Sequence, residues 1–503
     1  MKNILKSEYS LIVVIILLGI SLNLFLSAYT TFWIDESMVV NLSYENNSTI
    51  ISELLTKEAH PPVYYFLIKT IRIIFGDKEL YFRLFSSLFF ALTSIYIFLL
   101  GRKIGGKSTG LISLVLWSSN YFLLFYSKQT RPYSLLAFLS IASLYYFYNL
   151  LISKKFGRRD FWFYLLFTIV GLYTNYWFAL LLCAQLAILL IVDRKNKAVW
   201  LSLVGAGLAF LPWVIFYLLN FKNYGIGEWI AKPGLGTIWE SLSYFGWGQW
   251  WLIFAGSICG IIYGIIKKNI DFKKISLLVY YFFIVIGLAF FISQFIPIYT
   301  PGRREIILVP VFIIAISYLF SRIENKWWQI SLSFLMILFT YQTIFNFNAE
   351  VSAWKSSDLS LMQAVQTEAK SDDYFIVYGL TNVNVNYYAR RLGMLNNKIY
   401  FPSAMEFNQD SLGPIEQVAF DKEKLNENLV NLKNTLSQIN HGKFFVFLTD
   451  DNFSNSVVDF FDLNLKRVNE IIPEQPHMPT WISRVIIYDP SIKTQGHGDK
   501  IEP

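Results

Sequence analysis

The sequence predicts a polytopic α-helical membrane protein of about 11 spans plus outer juxtamembrane helices, with a small C-terminal soluble α/β domain. Three observations predict it. The chain of 503 residues is 54% hydrophobic and 18% aromatic, a composition that soluble globular chains rarely carry. Its apolar segments recur near the length of about 20 residues that crosses a hydrocarbon layer of roughly 30 Å. Beyond residue 350 or so these segments stop, and mixed-charge sequence with short strand-like runs replaces them.

Each span follows from the run that carries it. Segment 9–28 opens with Lys2 and Lys6 and lacks a small-x-small cleavage site after its apolar run, so it reads as a retained span rather than a signal peptide. Further spans are expected at 79–100, 108–126, 132–152, 161–175, 177–192, 198–219, 248–266, 275–293, 305–321 and 327–346. Cytoplasmic loops collect Lys and Arg, and alternate loops here do so. They hold Arg102, Lys103 and Lys107; Lys154, Lys155, Arg158 and Arg159; Arg194, Lys195 and Lys197; Lys267, Lys268, Lys273 and Lys274; and Arg322 and Lys326. The intervening loops are sparser, so the N-terminus is expected in the cytoplasm and the C-terminal domain outside. The segment "PPVYYFLIKTIRIIFG", 61–76, is apolar but short and contains Lys69 and Arg72. A span there would invert every later loop, so an interfacial or re-entrant helix on the outer surface is expected.

The expected division is a transmembrane domain over 1–349 and an extracytoplasmic α/β domain over 350–503. In the latter, "YFIVYG" (374–379), "KFFVFLT" (443–449) and "SRVIIYD" (483–489) read as buried strands. Between them "NVNVNYYARRLG" and "EKLNENLVNLKNTLSQINH" read as helices. No Gly-rich phosphate loop follows these strands, which argues against a nucleotide-driven engine, and no inverted repeat of the transporter kind is visible. The net charge of +8 belongs to the cytoplasmic loops, so membrane lipids are expected partners and nucleic acid is not. Cys183 and Cys259 lie in apolar runs and offer no disulfide framework.

With that topology four polar clusters fall on the outer face. They are Asp35 and Glu36; "HPP" with His60; "YSKQTRPYSL" with Lys128, Gln129, Arg131 and Tyr133; and "YTPGRREI" with Arg303, Arg304 and Glu305. Ionisable groups near hydrocarbon are costly unless paired or functional. Carboxylates together with arginines suit a reaction in which a hydroxyl loses a proton while a departing phosphate gathers charge. The guanidinium groups would hold that phosphate through bidentate contacts. Nucleotide sugars are cytoplasmic, so an outward-facing site calls for a lipid-linked phosphosugar. Each residue also has a plainer role: adjacent carboxylates are commonly solvated, His60 can close a segment ahead of two prolines, Arg131 can anchor at the interface, and Arg303 and Arg304 can meet lipid headgroups. Neighbours on a helix point about 100° apart, so one of Asp35 and Glu36 would act as base and the other would position or bind the acceptor.

Taken in order, "WIDE", "HPPVYYFL", "FGDKELYFRLFSSLF", "YSKQTRPYSLL", "LYTNYW", "LPW" and "RREIILVP" resemble the GT-C glycosyltransferases of the protein O-mannosyltransferase and lipid A aminoarabinose transferase type, over roughly residues 10 to 320. The resemblance implies a GT-C-like multi-span core, a catalytic acid in the first outer loop, a polyprenyl-phosphate sugar donor and inversion at the anomeric carbon. By position it implies Asp35 as general base, Glu36 beside the acceptor, Arg131 and Arg303 as ligands of the donor phosphate, and His60 at the entrance. Arg303 is preferred to Arg304 because the family pattern has arginine seven residues before a proline, here Pro310. Lys128, Gln129, Tyr133, Asn175 and Arg304 complete the expected substrate-binding set. Two positions depart from the pattern. Gln129 stands where bacterial relatives often carry an acid, and Asn175 where they carry a histidine; Gln129 can hydrogen-bond a substrate but cannot act as a base.

No cofactor is required by this picture, because two guanidinium groups can neutralise a phosphodiester, although a divalent metal at the acidic pair is compatible with it. The expected partners are a polyprenyl-phosphate-linked sugar and a hydroxyl acceptor on a protein, lipid or glycan, in a bacterial inner membrane. A transporter or flippase of lipid-linked sugar is the rival reading, and it calls for charged residues near the bilayer midplane. A non-catalytic member that binds lipid-linked sugar is the other, favoured by the departures at Gln129 and Asn175.

Overall fold

The computed structural model describes residues 2–28, 31–56, 60–152, 157–220, 231–246 and 250–328, separate positions up to 341, and then 357–379, 381–401, 422–439, 441–449, 454–472 and 482–490. The chain forms two compact units. The first comprises Met1–Ala28, Ile50–Ile71 and Leu80–Phe347; the second comprises Tyr29–Thr49, Arg72–Glu79 and Asn348–Pro503.

The first unit is helical and belongs to an integral membrane protein. Among the described residues, five helices are long and apolar enough to cross a membrane: Glu79–Gly105, Tyr133–Ile152, Lys197–Asn220, Phe272–Ile292 and Arg304–Ser321. Each expected span from 9–28 to 305–321 coincides with helix to within a few residues, while 327–346 falls largely outside the described residues. The span expected at 108–126 is a pair, Lys107–Ser119 and Tyr121–Ser127, bent by 60°. Asn120 makes the break. Its backbone is extended, its Oδ1 accepts the Leu123 N–H at 3.0 Å, and its Nδ2 donates to the Phe245 carbonyl at 3.1 Å. The asparagine thereby supplies partners at a helix end that would otherwise be bare in an apolar surround. Helix Val63–Phe75, at 13 residues, is too short to cross about 30 Å.

Helix Tyr133–Ile152 is buried almost throughout and packs against Arg158–Leu172 and against Arg304–Leu308. Ser143 on this helix joins a polar cluster inside the bundle. Tyr164 donates to Gln185 Oε1 at 2.7 Å, Gln185 Nε2 reaches Ser143 at 3.4 Å, and Ser143 meets Thr168 at 3.2 Å. A neutral cluster of this kind joins helices and carries no charge through the bundle. Where the backbones of Trp250–Ile266 and Val309–Ser321 approach, a side chain at Gly260 would stand 2.4 Å from the Leu319 carbonyl oxygen, so the crossing requires glycine. Outward side chains such as Leu208, Leu219, Ile262 and Phe283 are exposed, as a lipid-facing surface requires.

The second unit holds a five-stranded sheet with β1 Tyr374–Tyr378, β2 Asn397–Phe401, β3 Phe444–Leu448, β4 Lys466–Ile471 and β5 Arg484–Asp489, in the order β2-β1-β3-β5-β4. β1 is parallel to β2 and β3, whereas β5 runs antiparallel to β3 and β4. The three runs expected as strands are the three central ones. The edges β2 and β4 do not stand out in the sequence, because "NKIYF" opens with two polar residues, "KRVNEI" is largely polar, and both are only partly buried. Helices Thr381–Arg391 and Lys422–Leu436 occupy the stretches expected to be helical. The apolar core includes Ile376, Tyr378, Val446, Phe461 and Ile486.

Asp358 is buried in the first turn of helix Ser357–Glu368, where it accepts from Asn384 Nδ2 at 2.5 Å and from the Ile482 N–H at 3.4 Å. Burial pushes its carboxyl from 3.8 up to about 6, and the two hydrogen bonds oppose the rise without cancelling it. The folded state therefore holds this proton more tightly than the unfolded chain. Stability from that proton is full below about pH 4 and is lost as pH rises through about 6. Thermal unfolding of the purified protein should show this descending segment, and Asp358→Asn should flatten it; an unchanged pH profile in the variant would exclude Asp358 as its source.

Candidate active site

Asp35 and Glu36 lie on helix Ile34–Leu42, in the second unit. Two carboxylates in the first turn suit the positive end of the helix dipole. Their surroundings differ. Glu36 is 2% exposed and its Oε2 accepts the Trp33 N–H at 2.9 Å, closing the helix start as a cap. Asp35 is half-buried and keeps surface open to solvent. Through its hydrogen bond Glu36 maintains the turn on which Asp35 stands.

In the first unit, the loop after the broken helix carries Lys128, Gln129 and Arg131. Ser134 donates to the Ser127 carbonyl at 3.0 Å and Ser86 to the Gln129 carbonyl at 2.8 Å, which fixes the loop to two helices. Below it Asn23 Nδ2 donates to the Leu124 carbonyl at 3.2 Å and to Ser127 at 2.6 Å, and Ser87 donates to Asn23 Oδ1. Lys128 and Arg131 are buried, and the Lys128 ammonium lies 5.3 Å from the centre of the Phe125 ring. The Gln129 side chain is half-buried.

Arg303 and Arg304 follow Gly302, whose φ of +75° is the left-handed conformation that glycine adopts freely. A side chain there would also meet the Tyr244 ring at 3.1 Å, so the turn that delivers the arginines depends on glycine twice over. Glu305 is fully buried; its Oε1 accepts from Ser241 at 2.8 Å and its Oε2 accepts the Arg303 N–H at 3.2 Å, with Tyr299 3.0 Å from the Ser241 hydroxyl. Arg304 uses Nη1 on the Ile298 carbonyl at 3.2 Å.

The fold assembles Arg131, Tyr133, Arg303, Arg304 and Glu305 within electrostatic reach of one another, and Tyr126 stands among them with its ring 5.2 Å from that of Tyr133. Guanidinium groups gathered in this way suit an anionic ligand such as a phosphate. Glu305, Ser241, Tyr299 and Tyr126 were not assigned roles from sequence. Glu305 was visible as the acid of "RREI"; the other three had no signal, since Ser and Tyr are common in every span.

His60 lies with its ring 6.4 Å from that of Tyr65, at the start of helix Val63–Phe75, whose Val63 N–H donates to the Tyr173 carbonyl at 3.0 Å. Asn175 is buried, and its Oδ1 accepts the Trp177 N–H at 2.9 Å at the start of helix Trp177–Val192. Its amide is thus part of a helix start. Among the described residues no group of three or more His, Cys, Asp or Glu side chains is arranged to hold a metal ion.

With the geometry described, similarity to known proteins can be read. Residues 59–216 match the family described as dolichyl-phosphate-mannose-protein mannosyltransferase. The fold resembles that of ArnT from Cupriavidus metallidurans in the apo state, with a TM-score of 0.65, 11% identity, and 96% of this chain and 99% of that chain covered. The chain shares this GT-C-like fold. The same ArnT bound to undecaprenyl phosphate aligns with a TM-score of 0.61 at 10% identity, covering 97% and 99% of the two chains. The GT-C oligosaccharyltransferase of Archaeoglobus fulgidus, tethered to an acceptor peptide containing the NVT sequon, aligns at 0.52 with 12% identity, over 92% of this chain and 72% of that one. An uncharacterised protein of Aquifex aeolicus is 31% identical over 96 residues, and the chain spans 19% of that relative's length.

The helix-start role of Asn175 can be tested separately from any substrate. Asn175→Ala should lower stability by about 1 kcal/mol while Asn175→Ser, which keeps an acceptor oxygen, should lose less than half of that. Equal thermal shifts of the two variants would contradict this hydrogen bond's role ahead of the helix.

Proposed function

We propose that this protein is an inverting glycosyltransferase that moves a sugar from a polyprenyl-phosphate donor to a hydroxyl of a protein, lipid or glycan on the extracytoplasmic face of a bacterial inner membrane. The observation that carries the proposal is the arginine group Arg131, Arg303 and Arg304, assembled on a GT-C fold. That ArnT binds undecaprenyl phosphate, and that the oligosaccharyltransferase takes an acceptor peptide, supports donors and acceptors of these kinds.

In this reading Asp35 accepts the proton of the acceptor hydroxyl as its oxygen attacks the anomeric carbon from the side opposite the phosphate. The bond from that carbon to the phosphate oxygen breaks, and the departing polyprenyl phosphate takes the electron pair. Arg131 and Arg303 neutralise it. Arg303 is assigned in preference to Arg304 because the resembled pattern has arginine seven residues before a proline, here Pro310. Asp35 is assigned in preference to Glu36 because the latter caps its own helix. His60, Lys128, Gln129 and Tyr133 are proposed to contact substrate. Asn175 is engaged at a helix start, so its departure from the family pattern does not by itself argue for a non-catalytic protein.

Asp35→Asn should lower transfer by about 10²- to 10⁴-fold, the usual contribution of a general base, with donor binding retained. Undiminished turnover in that variant would remove Asp35 from the reaction. Arg303→Ala should raise the donor KM by about 10-fold or more, since a charged hydrogen bond to phosphate is lost; an unaltered donor dependence would exclude it as a phosphate ligand.

A further inference from the structure

The helix that carries Asp35 is held by a helix more than 300 positions later in the chain. Within the second unit, the Phe32 N–H, immediately before that helix, donates to the Tyr388 hydroxyl at 3.2 Å, and the Phe32 ring lies 4.9 Å from that of Tyr387. Ile34 and Met38 pack on Val383. At the far end Asn41 Nδ2 donates to the Val383 carbonyl at 2.8 Å. Tyr388, Tyr387 and Val383 all belong to Thr381–Arg391, the helix of "NVNVNYYARR".

That helix is itself fixed by the short segment Arg72–Glu79. The Tyr388 hydroxyl donates to Glu79 Oε1 at 2.8 Å, and Arg391 pairs with Glu79 Oε2 at 3.1 Å. Tyr387 donates to the Asp77 carbonyl at 2.9 Å. Tyr44, just past the acid-bearing helix, donates to Asp77 Oδ2 at 2.8 Å, with the guanidinium groups of Arg72 and Arg390 at 4.1 and 5.0 Å from its ring centre. Burial and the neighbouring Glu79 carboxylate push the Tyr388 phenol above its ordinary range, so the hydroxyl stays protonated and can donate to Glu79 while accepting from Phe32.

We infer that Tyr388 is a positioning residue for the proposed reaction: through Phe32 it sets the start of the Asp35 helix, and the C-terminal segment thereby holds the general base in place. This rests on the assignment of Asp35 as base. It gives the C-terminal part a role in the rate itself, distinct from acceptor choice. A carboxylate displaced by about 1 Å loses of the order of 100-fold in rate, so a hydroxyl that fixes its backbone has leverage without touching substrate.

The test uses the full-length purified protein and Tyr388→Phe, which keeps the ring and removes both hydrogen bonds. Hydrogen exchange of the peptide covering 31–44 should quicken by about 10-fold in the variant, with helix Tyr133–Ile152 unaffected. With a lipid-linked donor that the wild type uses, kcat should fall about 10-fold or more while the donor KM stays within about 2-fold. Unchanged exchange over 31–44 would overturn the positioning role whatever the activity. So would a loss of protection across both units, which marks general unfolding, and so would faster exchange with kcat intact. Asp35→Asn run alongside separates the two claims: full turnover there removes the base assignment, while the exchange result stands on its own.

Discussion

A polar group that cannot reach water must find its partner inside the chain. That requirement organises both units. In the membrane unit it breaks a span at Asn120, whose side chain serves the bared helix ends, and it gathers Tyr164, Gln185, Ser143 and Thr168 into one closed cluster. It also settles Glu305, which would be untenable as a lone buried carboxylate and instead accepts from Ser241 and from the Arg303 backbone. The loop with Arg131 and the turn with Arg303 are therefore held by groups that are themselves held, which is how a cluster of cations persists at low solvation.

The same requirement accounts for two charged residues beside those proposed to act on substrate. Glu36 and Arg304 lie beside Asp35 and Arg303 in sequence and carry the same charges, yet each has a backbone partner that explains it. The neighbour in each pair is the one assigned to substrate. In both cases the backbone partner is local, within a turn or two, as helix-start and turn geometry provides.

Much of the architecture was legible in hydropathy, because a span must be apolar along its whole length and a strand buried on both faces must be a continuous apolar run. β1, β3 and β5 satisfy that rule. The edges β2 and β4 do not, since an edge strand mixes Lys, Arg, Asn and Glu among its apolar positions and reads as loop. The break at Asn120 was hidden because one amide barely alters the hydropathy of a long run. The ordered motifs marked the arginines and the acidic pair only as candidates. What could not be read was pairing at long range: nothing local in "NVNVNYYARR" announces that Val383 and Tyr388 hold the segment around Phe32 and Asn41.

The central claim is a direct displacement at the anomeric carbon of a lipid-linked sugar. The measurement closest to it is the anomeric configuration of the glycoside formed by the purified protein from a polyprenyl-phosphate sugar and a hydroxyl acceptor, read by NMR. The account predicts a configuration opposite to that of the donor, formed in step with release of polyprenyl phosphate. A product with the donor's own configuration would contradict it, since retention requires a route other than single displacement, such as a covalent glycosyl intermediate on a carboxylate.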